Sequence, residues 1–287
     1  MHGPDRAGRL TLEHDFTELE IEADGAHASS SRTVCSNYLP VTRSDRMLKF
    51  FGIARERDEL PADLWPLGLA PFIRIAEDGS GNPVCDDGVF GLLPHFAVEM
   101  AQGRKTYNAR TETVARLPSF RDAWRKAQRC IIPAEAIYEP NWESGVSERW
   151  IIRRPGEVAM GIAGIYTRWH DTQHGRELFS FAMLTVNADG HPVMQRFHRP
   201  GDEKRMVVIL PEADYGAWLA CPVAEAAGFF KQYMGPLDAQ AAALPGRMPK
   251  APKTVSGKIV VPPPGEAPKA APTVTPKPPD CDQPQLF

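Results

Sequence analysis

The chain has 287 residues, 43% hydrophobic and 24% charged, an ordinary balance for a globular protein with one sizeable core or two small ones plus tails. No apolar run is long enough to span a bilayer, and no basic segment followed by an apolar stretch opens the chain, so neither a transmembrane nor a secreted protein is expected and the cytoplasm is the expected compartment. The formal net charge of −3 is unevenly spread: residues 1–34 hold seven acids against three bases, while Arg104 to Arg129 hold eight bases against two acids. That basic segment fits a phosphate backbone or a solvated helix face.

Residues 1–34 are polar and acidic, end in Ser29-Ser30-Ser31, and read as a disordered leader. Organised sequence begins at Val34. Ser44 followed by Met47, Leu48 and Phe51 at helical spacing predicts a capped helix over 44–51. Residues 71–93 read as strand, turn, strand about Asp78-Gly79-Ser80-Gly81-Asn82. A short helix is expected over about 119–126, starting at Ser119 after Pro118. Strands are expected at 129–132, 149–153, 158–166, 179–186 and 205–210, then helices at 212–220 and near 223–233. Antiparallel-looking strands with a few flanking helices predict an α+β fold with a mixed, largely antiparallel β core. The folded domain is expected over 35–235. Twelve prolines fall within 245–287, so residues 236–287 read as a polyproline-like tether.

The five cysteines, Cys35, Cys85, Cys130, Cys221 and Cys281, are scattered with no CxxC pair, which argues for free thiols and against a zinc site. Four segments carry chemistry-bearing residues. They are Val34-Cys35-Ser36-Asn37-Tyr38; Phe90-Gly91-Leu92-Leu93-Pro94-His95-Phe96 followed by Tyr107-Asn108-Ala109-Arg110; Arg129-Cys130-Ile131-Ile132-Pro133-Ala134 running to Tyr138-Glu139; and Thr185-Val186-Asn187 followed by His198 and Arg205-Met206.

Together, and in this order, these segments resemble the SOS-response-associated peptidase (SRAP) family over roughly residues 34–220. The resemblance implies a single SRAP-like domain that binds single-stranded DNA or a single-strand to duplex junction. It implies a DNA-damage protein whose N-terminal cysteine captures the ring-opened aldehyde of an abasic site as a thiazolidine, and which removes the residues preceding that cysteine. A nucleoid-associated monomer without metal or organic cofactor is expected. A thiazolidine needs an amine and a thiol on adjacent carbons, which only an N-terminal cysteine offers. Its amine and thiol titrate near ~8 and ~8.5, so neutral amine is present at cellular pH.

By the same resemblance Cys35 is the nucleophile, Glu139 the catalytic glutamate, His198 the catalytic histidine with His191 as rival, and Asn108 the group that orients amine or sugar. Arg110 would hold a flanking phosphate, with an ion pair to Glu112 as the plainer alternative. Arg104, Lys105 and Arg205 join it as DNA-binding candidates, and Phe90, in place of a family tryptophan, would stack a base or shape the wedge between strands, with Phe96 and Trp142 as further candidates. The chain departs from the family pattern in Ser36-Asn37 after the cysteine, in Val207 after Arg205-Met206, and in an inserted stretch Arg199 to Lys204 behind His198.

Cys35 is internal in this sequence. Either Val34 is the true start, a GTG codon read as methionine, or residues 1–34 are a propeptide cut before Cys35. The C-terminal Gln283, Leu286 and Phe287 resemble the short peptide by which bacterial repair proteins bind the replicative sliding clamp. Two other functions compete: a thiol peptidase acting on other proteins, and a non-catalytic single-stranded DNA binder.

Overall fold

A computed structural model describes residues 36–55 and 63–243. Cys35 and the C-terminal Gln283, Leu286 and Phe287 lie outside the described residues, as do the expected leader and most of the expected tether.

Eleven strands join in one sheet with few helices around it. In chain order they are β1 (Asn37–Pro40), α1 (Ser44–Phe51), β2 (Leu69–Ile75), β3 (Pro83–Phe90), β4 (Asn108–Arg110), α2 (Pro118–Arg125), β5 (Arg129–Asn141), β6 (Glu148–Arg153), β7 (Met160–Asp171), β8 (Arg176–Asn187), β9 (Arg205–Val207), β10 (Ile209–Leu210), α3 (Tyr215–Ala220) and β11 (Asp238–Ala241). The pairings β7–β8, β8–β3, β3–β2, β2–β5 and β5–β7 close a ring of five strands. Pairing is antiparallel except where β3 and β4 lie along β8. The α+β class and the largely antiparallel core are as expected.

β5 is apolar on both faces, with Cys130, Ile131, Ile132 and Ala134 all buried, because it is paired on both edges and covered on both sides. The ring strands supply Phe72, Ile132, Ile162 and Phe181 to one core. Phe72 packs tilted on Phe181 at 5.6 Å between ring centroids.

Several local expectations are corrected. Ser44 lies inside the first turn of α1 with Arg43 as the flanking residue, and Gly52 closes the helix in the left-handed region (φ 69°), donating its N–H to Leu48. Pro118, not Ser119, opens α2, because its fixed φ suits the first helical position. The strand expected over 205–210 is two strands: β9 lies on β8 and β10 on β7. Val208 makes the crossing, donating to the Leu184 carbonyl and accepting from Ala163 N–H. The helix expected near 223–233 is a single 3-10 turn, Ala226–Phe229. The sheet continues past residue 235, where the domain was expected to end, because β11 adds to the edge of β6 with Asp238 opposite Arg153.

One close approach fixes the segment after β3. Gly91 has φ 128°, and a Cβ there would lie 2.3 Å from the Gly103 carbonyl oxygen. Only glycine allows this contact. It seats the 3-10 turn Met100–Lys105 against Gly91 and so positions the exposed Arg104 and Lys105.

Candidate functional site

Three pieces of chain converge on the end of β5. Glu139, 1% exposed, stands near the end of that strand. β1 runs antiparallel beside it, with Asn37 opposite Tyr138. The segment ahead of β9 returns to the same place: Asn141 bridges to Phe197, and the His198 N–H donates to the Pro140 carbonyl at 2.9 Å. These pairings are backbone contacts, so the register of the sheet sets the position of each side chain.

His198 is 5% exposed and adopts φ 66°. A non-glycine residue in that region is held by its surroundings. Its Nε2 lies 2.9 Å from the Arg205 carbonyl oxygen, which can only accept, so Nε2 carries a hydrogen. Nδ1 then faces Glu139, 3.8 Å from Oε2. In this orientation Nδ1 is the atom that gains or loses a proton, and its neighbour is a buried carboxyl.

His191, the rival, is committed elsewhere. Its Nε2 donates to the Tyr233 carbonyl (2.7 Å), and its Nδ1 accepts from the N–H groups of Val193 (3.1 Å) and Met194 (3.0 Å). Both ring nitrogens are used to hold the turn, and the geometry pairs His198 with Glu139.

Asn108 opens β4, opposite Met183 of β8, and Arg110 closes it, opposite Thr185. The Arg110 ion pair is with Glu203 (2.8 Å), not Glu112. Arg205, expected to face DNA, is 1% exposed and locked in place. It donates to the Thr185 carbonyl (2.7 Å), to both Glu112 oxygens (3.0 and 3.2 Å) and to Glu203 (2.6 Å). Partial burial alone would raise the Glu112 carboxyl, but the Arg205 hydrogen bond and charge hold it below the usual range. The same balance holds Glu203 low, with Arg110 adding to Arg205.

Phe90 is also displaced from its expected role. It is fully buried, its ring centroid 5.2 Å from that of Tyr38, 5.6 Å from Tyr107 and 5.7 Å from Phe181, so it packs the core and offers no face to a base. Phe96, at 48% exposure, is accessible instead and stands edge-on to His95. Trp142 lies under the Arg199 guanidinium, 4.8 Å from its ring centroid.

The sequence singled out Thr185 and the stretch holding Glu203 and Lys204 without assigning them these contacts, and it did not single out Asn141. Lys204 donates to the carbonyls of His198 and Arg199 and pins the base of the inserted stretch. The inserted stretch itself was the signal, since it delivers a carboxylate between two basic positions.

The described thiols are poor nucleophiles. Burial raises Cys85 to about 11, pushes Cys130 well above its ordinary value, and raises Cys221. Among the described residues no group of His, Cys, Asp or Glu is placed to hold a metal ion, and no helix is long and apolar enough to cross a membrane.

A crystal structure of a Bordetella bronchiseptica protein superposes with a TM-score of 0.66 at 40% identity, covering 73% of this chain and all of that one. A Bacteroides thetaiotaomicron structure shares the fold with a TM-score of 0.63 at 23% identity, covering 73% and 92%. The abasic site processing protein YoqW of Bacillus subtilis (strain 168) is 32% identical over 151 residues, 52% of this chain and 62% of its own, so the match spans less than two thirds of that relative. The abasic site processing protein HMCES of Gallus gallus is 25% identical over 130 residues, 38% of this chain and 39% of its own. Residues 10–244 match the family described as SOS response associated peptidase (SRAP), and the chain belongs to that family.

Proposed function

We propose that the protein processes abasic sites in DNA, binding single-stranded or junction DNA and capturing the lesion covalently through Cys35. The observation that carries this reading is the His198–Glu139 pair at the end of β5, beside the point where β1 brings in the chain that follows Cys35. The names of YoqW and HMCES support the substrate class.

The chemistry requires a free α-amine at Cys35. Hydrolysis of the Val34–Cys35 amide would consume one water and release it, and a start at residue 34 would supply it once the initiator methionine is hydrolysed off. The amine adds to the aldehyde carbon of the ring-opened sugar, and loss of water gives a Schiff base. The Cys35 thiol then adds across the C=N bond, forming the C–S bond while the nitrogen takes up a proton. No oxidant or reductant is needed. Each step moves a proton, and in this reading Glu139 and His198 Nδ1 pass it. Asn108 orients the amine or sugar oxygen, and Arg110, Arg104 and Lys105 meet phosphates.

The test is incubation of protein beginning at Cys35 with single-stranded DNA carrying one abasic site. A denaturation-resistant adduct is expected, lost in Cys35→Ala. Undamaged DNA should give only salt-sensitive, reversible binding. Salt-sensitive binding to both DNAs with no adduct would leave only a non-catalytic binder.

A further inference from the structure

The stretch between His198 and Arg205 takes no part in the chemistry above, yet it ends on a charged arrangement at the edge of the site. Glu203 spans two guanidiniums: Oε2 meets Arg110 Nη1 at 2.8 Å and Oε1 meets Arg205 Nη1 at 2.6 Å. A carboxylate and a phosphodiester both engage a guanidinium through anionic oxygens on its N–H groups, so the two compete for Arg110. Arg205 is rigid, because Thr185 holds it and Glu112 neutralises it through both carboxylate oxygens. Arg110 is about a third exposed (side chain 32%) and shares β4 with Asn108. Glu203 is similarly open (35%) and follows a turn at Gly201, φ 86°, while Lys204 anchors the far end. Glu203 can therefore swing outward without breaking the sheet. With it in place, two arginines face two glutamates and the cluster is neutral. With it displaced, the positive charge of Arg110 is uncovered.

We propose that Glu203, held in place by the buried Arg205, screens Arg110 in the free protein, so that a DNA phosphate must displace this carboxylate to engage Arg110. The inference rests on the nucleic-acid reading above. The inserted stretch is then an internal competitor: it weakens binding to DNA in general and reserves the site for strands held by additional contacts.

The experiment measures affinity for an undamaged single-stranded oligonucleotide by fluorescence anisotropy across a salt series, using the full chain. Glu203→Gln is expected to bind roughly fivefold tighter than wild type. Glu203→Asp, which keeps the charge, should stay near wild type. Arg110→Ala placed in the Glu203→Gln protein should abolish the gain. If wild type binds and Glu203→Gln binds no tighter, the proposal fails and the nucleic-acid reading stands. If the gain survives Arg110→Ala, the carboxylate acts through the general field and the proposal also fails. A gain seen for inorganic phosphate as competitor but not for the oligonucleotide would make this a free-anion site and overturn it. If neither protein binds the oligonucleotide, both readings fall together.

Discussion

His198 turns Nδ1 toward Glu139 Oε2 at 3.8 Å while its Nε2 is tied to the Arg205 carbonyl. The tie fixes which nitrogen exchanges protons and aims it at a buried carboxyl. Removing either member should slow covalent capture of abasic DNA by on the order of 100-fold, the usual scale of a lost general acid or base. Adduct formation followed over time for Glu139→Gln and His198→Ala, each checked for folding by thermal melting, measures this. Wild-type rates in both variants would remove the pair from the mechanism.

His191 should behave in the opposite way. Its ring satisfies two backbone N–H groups and one carbonyl. His191→Ala is expected to destabilise the fold by about 2–3 kcal/mol, because buried groups lose their partners, with little effect on capture by the folded fraction. Urea unfolding and adduct assays on the same preparation separate the two effects.

Phe90→Ala should lower stability by about 3–5 kcal/mol through the cavity it leaves. Phe90→Leu, closer in volume, should retain DNA affinity. A large loss of affinity in a stable Phe90→Leu protein would return this ring to the DNA surface.

The elements readable from the sequence were those with strong local signals. The apolar spacing of Met47, Leu48 and Phe51 marked α1, and Pro118 marked the start of α2 to within a residue. The turn at Asp78 to Asn82 marked the hairpin of β2 and β3. The division of 205–210 was not readable, since Met206 to Leu210 is one apolar run and only the change of partner at Val208 separates the two strands. β11 was hidden because Asp238-Ala239-Gln240-Ala241 is short and holds no β-branched or aromatic residue; pairing with β6 makes it a strand. For the candidate site, it was the family resemblance that pointed to Glu139, His198 and Asn108. Phe90, by its match to a family tryptophan, and Arg205 were read as DNA contacts, but burial is a property of the assembled sheet. Phe90 falls inside the core, and Arg205 is held by Glu112 across a separation of 93 residues.

The Glu112, Glu203 and Arg205 cluster gives stability a pH dependence of defined sign. Both carboxyls are held below their ordinary values in the folded protein. Their contribution is therefore fully present above the unfolded carboxyl value of about 4.3 and is lost as pH falls through the lower folded values. A Glu112→Gln, Glu203→Gln double variant leaves Arg205 buried without its anions, so it should be clearly less stable than wild type near about pH 6. That difference should shrink toward about pH 3, where the wild-type carboxyls are also neutral. Urea midpoints across this range decide the matter, and a gap that stays constant or widens on acidification contradicts the assignment.

The most direct test of the central claim locates the cross-link. Protein is incubated with single-stranded abasic DNA without added reductant, the adduct is isolated under denaturing conditions, and it is mapped by peptide mass spectrometry. A stable adduct is expected on a peptide whose first residue is Cys35, with one water lost between protein and sugar. An adduct on another side chain, or on protein still carrying residues 1–34 ahead of Cys35, would contradict it.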